Sequence, residues 1–389
     1  MKARAIAIGL SIAARSCFML GLYLLAGTAL SASDAARFFQ LVFLQAILIA
    51  FVSAAGFFRV QRLDAEDDVR DYIIAGICLL PLSGIFPLLL LGIFPVYREI
   101  WPVLIPIWLG ASASALAGPW AAVVQKRTGP FRAFGPTCLS ALAVSPGLVL
   151  LLNDAAHPAL PYLLLGAFQI GNLALLVVFC PGLLRDVMAR VEVAGASGAW
   201  RFVKEGAGVG AINVTSLLAT FGLREVWRND ATPEFAALVF LLLRVTDTIL
   251  QLGHMTLAGS SVPERMFTSP RAGGALALSS LAAVALLAGI AGTVEAEGVS
   301  YGTMIVLLLA CEAIRGGWSI AVLYQMAHFQ LRSYAIYMLG ALVPGVAVYV
   351  LVFSFWPEVA LIAYLAALII GAAGLTIRRA RLQRVPIIA

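Results

Sequence analysis

Apolar runs of about 20 residues, each long enough to cross about 30 Å of hydrocarbon as a helix, recur from one end of the chain to the other. The runs are continuous rather than alternating. They therefore predict helices and not barrel strands, the two structures that satisfy their own backbone hydrogen bonds in lipid. Twelve spans fall at about residues 4–30, 35–58, 72–95, 101–124, 132–153, 159–180, 204–223, 235–258, 272–293, 301–325, 333–355 and 357–377. Connections are short except between Pro181 and Lys204. The pattern predicts an all-α polytopic membrane protein: a six-helix lobe over residues 1–180, a cytoplasmic linker over 181–203, and a second six-helix lobe over 204–389.

Composition agrees with that reading. Hydrophobic residues make up 62% of the chain and charged residues 12%, where a soluble domain carries about a quarter. The basic start and first apolar run look like a signal peptide, but the run is long, contains Arg15 and is followed by further spans. It is read as a retained first helix. The positive-inside rule sets orientation. Lys2 and Arg4, then Arg59, Arg62 and Arg70, then Lys126, Arg127 and Arg132 mark alternate loops. Arg185, Arg190, Arg201 and Lys204, then Arg265 and Arg271, Arg332, and the tail from Arg378 to Arg384 continue the series. The opposite loops hold Arg37, Arg98, Arg224 and Arg228. Both termini are expected in the cytoplasm of a cell bounded by this inner membrane.

The halves look related. Leu41-Val-Phe-Leu44 recurs as Leu238-Val-Phe-Leu241 in the helix holding the same place, and Gln125 to Phe134 aligns with Gln325 to Tyr334. A repeat with an even number of spans starts each time on the same side, so the two halves are parallel repeats.

Few charges remain at membrane depth. They are Arg15 in span 1, Arg244 and Asp247 in span 8, and Glu312 and Arg315 in span 10, with His254 lower in span 8. A charged side chain at mid-bilayer costs at least about 2.5–3.5 kcal/mol, so it faces protein or a wet cavity. Arg244 and Asp247, like Glu312 and Arg315, are three apart on one helical face, and each pair reads either as an internal ion pair or as a site. Arg15 has no acid within one turn. Three arginines against two acids leave an excess that suits an anion, since guanidinium groups match phosphate bidentately. Arg15, Arg244 and Arg315 are thus candidates to line an anion-binding cavity. Asp247, Glu312 and His254 are candidates for proton or sodium coupling. No cofactor, resident metal or nucleic-acid partner is expected.

Other motifs change little. The cysteines (Cys17, Cys78, Cys138, Cys180 and Cys311) lie singly in apolar runs, without metal-ligand spacing. Gly206-Ala-Gly208-Val-Gly210 follows no strand, so it is no nucleotide fingerprint; it permits close approach or bending of span 7. Asn213-Val-Thr215 fits a glycosylation sequon but lies inside a span. Asp64-Ala-Glu66-Asp67-Asp68-Val-Arg70-Asp71, after span 2, contains the DDxxD pattern with which membrane prenyltransferases hold magnesium on a pyrophosphate. Those enzymes need a second Asp-rich loop, whereas later loops on this side offer only Asp186, Glu192 and Glu264, singly. The expected protein is not an enzyme. No outer loop is large enough for a sugar-chain polymerase or ligase.

Residues 34–63, from Asp-Ala-Ala-Arg-Phe-Phe-Gln-Leu-Val-Phe to Gly-Phe-Phe-Arg-Val-Gln-Arg, resemble the second helix of the Wzx-type oligosaccharide flippases. Residues 200–225 resemble their seventh. That family belongs to the MOP superfamily with the MATE multidrug antiporters and the lipid II flippase MurJ. The resemblance implies two lobes forming a V around a cavity lined by helices 1, 2, 7 and 8. It implies alternating access that flips a polyprenyl-diphosphate-linked oligosaccharide across the membrane, beside glycosyltransferases and a polysaccharide polymerase as partners. A multidrug antiporter of the same fold is the nearest alternative, and it would favour acidic residues in the cavity.

Overall fold

At the first turn of the chain, the Ser31 hydroxyl accepts a hydrogen bond from the Asp34 amide and caps the helix that follows. This turn joins α1 (Lys2–Ala29) to α2 (Ala32–Val52). The structure is a computed structural model describing residues 2–53, 66–152, 157–194, 197–259, 331–357, 360–361 and 363–368. It continues with α3 (Glu66–Ser83), α4 (Ile85–Ile93), a 3-10 turn (Pro95–Tyr97), α5 (Trp101–Thr128), α6 (Pro130–Val144), α7 (Pro146–Leu150) and α8 (Leu160–Phe179). There follow α9 (Pro181–Ala194), α10 (Ser197–Asp230), α11 (Pro233–Gly259) and α12 (Leu331–Phe353). The chain clusters into two units, Met1–Leu218 and Ala219–Ala389.

Six stretches among the described residues are long and apolar enough to cross a membrane: Ile6–Ala29, Ala32–Val52, Val69–Ile93, Trp101–Thr128, Pro130–Leu150 and Leu160–Phe179. They fall on the first six expected spans. Within unit 1, α5 lies at the centre and packs against α2, α3, α6 and α8, while α1 lies along α6. The α5–α8 crossing is close because of small residues. A Cβ on Gly166 would sit 2.9 Å from the Pro106 carbonyl oxygen, and one on Gly110 would overlap the Gln169 Oε1. Small residues are how membrane helices gain contact where no hydrophobic drive exists between them. Gly129, with φ 98°, makes the sharp turn between α5 and α6.

Two regions read as polar connections are ordered helix. The linker contains α9, whose Leu183 and Val187 are fully buried with Val69, Ile73, Val123 and Phe202 at the basic end of unit 1. The Asp-rich segment read as a loop starts α3 at Glu66. Carboxylates in a first helical turn complement its dipole, and Asp71 is buried.

Unit 2 is built on a core of Trp227, Phe235 and Phe240, where α10 meets α11. Tyr349 of α12 stands edge-on to Tyr364. The Tyr349 hydroxyl donates to the Leu223 carbonyl at 3.2 Å, and the Thr220 and Tyr364 hydroxyls lie 2.8 Å apart. Leu41–Leu44 on α2 and Leu238–Leu241 on α11, the repeated tetrapeptides, are buried at every position.

Candidate functional site

The polar interior of unit 1 is held by three helices. Gln45 on α2 and Gln169 on α8 exchange two hydrogen bonds of 3.1 Å, and Gly110 of α5 lies against the same amide. Next to Gln169, the Phe168 carbonyl accepts from Ser140 Oγ at 2.6 Å, and the Phe168 ring stacks on Phe18 of α1 at 4.7 Å. Arg15 belongs to this level. It lies midway along the 28-residue α1, on the stripe of Ser11, Phe18 and Leu22, which are all buried. Arg15 itself is half-buried. Among the described residues it has no hydrogen bond or ion pair.

In unit 2 the charge sits at the α10–α11 turn and deeper. Arg244 is buried on α11, and its carbonyl accepts from the Thr248 hydroxyl at 2.9 Å. One turn earlier on the same helix, the Phe240 ring carries the Arg224 guanidinium at 5.5 Å from its centroid, a cation–π contact strengthened by desolvation. Glu225 is fully buried and pairs with Arg228. Arg224 and Arg228 were expected in an outer loop. They lie instead on α10, which runs on to Asp230 because Trp227 is fully enclosed by Phe235 and Phe240. Sequence reading missed this cluster. Its signal was present: Glu225 and Arg228 are three apart and Arg224 and Arg228 four, the spacings of one helical face.

Asp247 and His254 fall on α11, but their side chains lie outside the described residues, as do Glu312 and Arg315 entirely. The glycines 206, 208 and 210 fall within the continuous helix α10. Cys17 and Cys78 are exposed and Cys180 is buried, all as free thiols.

At the basic end of unit 1, Asp186 of α9 accepts from Arg127 of α5 at 2.6 Å and lies 3.9 Å from Arg70 of α3. The Arg127 hydrogen bond holds the Asp186 carboxyl below the usual carboxylate range. Partial burial opposes this, and the charges of Arg127, Arg70 and Arg185 reinforce it.

No family model and no curated protein matches this sequence. Solved structures do match. A eukaryotic MATE transporter superposes with a TM-score of 0.61 at 15% identity, covering 98% of this chain and 95% of the other. A MOP-superfamily transporter from Pyrococcus furiosus gives 0.55 at 16%, covering 98% and 95%. A Vibrio cholerae MATE transporter gives 0.54 at 14%, covering 98% and 96%. The chain therefore has the all-α polytopic membrane fold of the MOP superfamily in its MATE form. The Wzx resemblance is supported to the level of this fold, and the matching structures include MATE transporters.

Proposed function

We propose that this chain is a membrane transporter working by alternating access on an amphipathic solute that carries an anionic group. The fold carries the first half of that reading, because it extends over 98% of the chain and its solved examples are transporters. Arg15 carries the second. A guanidinium at mid-depth without a protein counter-ion among the described residues is expensive unless it meets water or an anion. Arg244, buried in unit 2, adds a second intramembrane cation.

A binding pocket of reverse polarity is reported for the Pyrococcus furiosus transporter, and a different function is suggested for it on that ground. Polarity is read in the same way here. Two substrate classes share the required chemistry. The MATE likeness favours a drug-like organic anion exchanged for an ion. The arginines favour a polyprenyl-diphosphate-linked oligosaccharide, because a guanidinium group matches a phosphate bidentately. In the second case Arg315 is a third candidate for phosphate contact, coupling falls to Asp247, Glu312 or His254, and glycosyltransferases and a polymerase are the partners. The Asp-rich segment behind the prenyltransferase alternative is, from Glu66 onward, the start of α3.

The test is transport by the purified protein in liposomes, comparing an anionic amphiphile, a cationic one and a fluorescent lipid-linked oligosaccharide. Anion movement that falls about tenfold or more in Arg15→Ala or Arg244→Ala is expected, the loss of one charge-assisted contact. Movement of the cation alone, unchanged in both variants, sinks the anion reading. Movement of none of the three sinks transport.

A further inference from the structure

Helix α9 has two apolar flanks, and the protein covers one. Leu183 and Val187, four apart, are 0% and 1% exposed. Leu184 and Met188, also four apart and rotated by about 100° from the first pair, are 45% and 56% exposed. α9 begins at Pro181, two residues after the last residue of the membrane-length helix α8, so its first turn emerges at the edge of the hydrocarbon. Arg185 on a third side is exposed. At the start of α10, packed into the same end of unit 1 through Ala199 and Phe202, Trp200 is 66% exposed and Arg201 and Lys204 are exposed.

We propose that α9 and the first two turns of α10 form a docking surface for anionic lipid headgroups of the leaflet at this end of the protein. The helix would lie in the membrane surface, with Leu184 and Met188 in the outermost hydrocarbon. Arg185, Arg201 and Lys204 would contact headgroup phosphates. A helix with one apolar flank and flanking cations takes that position, and an exposed tryptophan is at home at headgroup level. Charge selects the occupant: the three exposed cations repel a second copy of the same surface and attract an anionic one. The ion pairs of Asp186 with Arg127 and Arg70 hold α9 against the unit from the other side, so bound lipid would press on a helix already anchored to three spans.

The experiment is hydrogen–deuterium exchange on the full chain in nanodiscs of phosphatidylcholine with and without phosphatidylglycerol, paired with native mass spectrometry of retained lipid. Amides of residues 183–190 are expected to exchange at least about tenfold more slowly with the anionic lipid, because each basic residue near such a surface contributes about fivefold. Phosphatidylglycerol retention should fall in R185E/R201E/K204E and persist in Arg98→Glu. Equal exchange in both nanodiscs overturns the proposal, and this arm needs only the unmodified protein. A dimer dissolved by L184S/M188S, with no lipid preference, overturns it in favour of a second copy.

Discussion

Gln45 and Gln169 face each other across the α2–α8 interface and satisfy one another with a pair of 3.1 Å hydrogen bonds, 124 residues apart in sequence. Gln169→Leu strands the Gln45 amide in an apolar interior, and Gln45→Leu does the same to Gln169. A loss of about 1–2 kcal/mol is expected, reduced from soluble-protein values because membrane helices find other partners. Q45L/Q169L removes both polar groups together and should cost less than the two single changes combined. Thermal unfolding of the four proteins in one detergent gives the cycle.

The crossing of α5 and α8 leaves no room for a methyl group. Gly166→Ala puts a Cβ against backbone and ring atoms of Pro106, at 2.9 and 3.1 Å, neither of which can rotate away. It should destabilise by about 1–3 kcal/mol, the range for overfilling a tight interface. Gly135→Ala, with nothing within 4 Å, should leave the melting temperature unchanged or raise it.

Glu225 is fully buried and pairs with Arg228 on the helix face that also carries Arg224. Glu225→Ala leaves Arg228 without its carboxylate in a poorly hydrated place, and a loss of about 3–5 kcal/mol follows from breaking a buried pair on one side. Arg224→Lys tests the second contact, because a lysine lacks the planar face that rests on Phe240. A drop in unfolding temperature in both variants is expected; an unchanged value for Glu225→Ala means the cluster is hydrated.

The Asp186 clasp should show its pH dependence directly. Its carboxyl is held below the usual range in the folded state. Stability from it is therefore complete above the unfolded-state value and is lost as pH falls through the lower folded one. Asp186→Asn should be less stable than the unmodified chain at neutral pH. The gap should close on acidification below the ordinary carboxylate range, as read from paired melting curves.

The first six membrane spans were legible because hydrophobic length is a local property: the ends of α5 and α8 lie within a few residues of those the apolar runs gave. What was hidden depends on partners. Arg224 and Glu225 look like loop residues beside Arg228, Asn229 and Asp230, and only the enclosure of Trp227 by Phe235 and Phe240 carries the helix through them. Leu183 and Val187 sit in a polar stretch, where a spacing of four was the one sign of a buried face. Arg15 was visible as a charge without an acid within a turn. Its lack of any described partner needed the whole unit, because a counter-ion could have come from a helix far along the chain.

The long central helix of unit 1 has a mechanical consequence. From Trp101 to Gln125, α5 is uncharged over about 37 Å, whereas the whole of α2 spans about 32 Å and the hydrocarbon about 30 Å. Two helices so unequal, fastened to one another beside Gly110, do not both match one bilayer when upright, so α5 leans or projects. A thinner membrane then acts as a load along α5. Pro106 and Pro119, where the helix lacks a backbone hydrogen bond, are the points at which that load bends it.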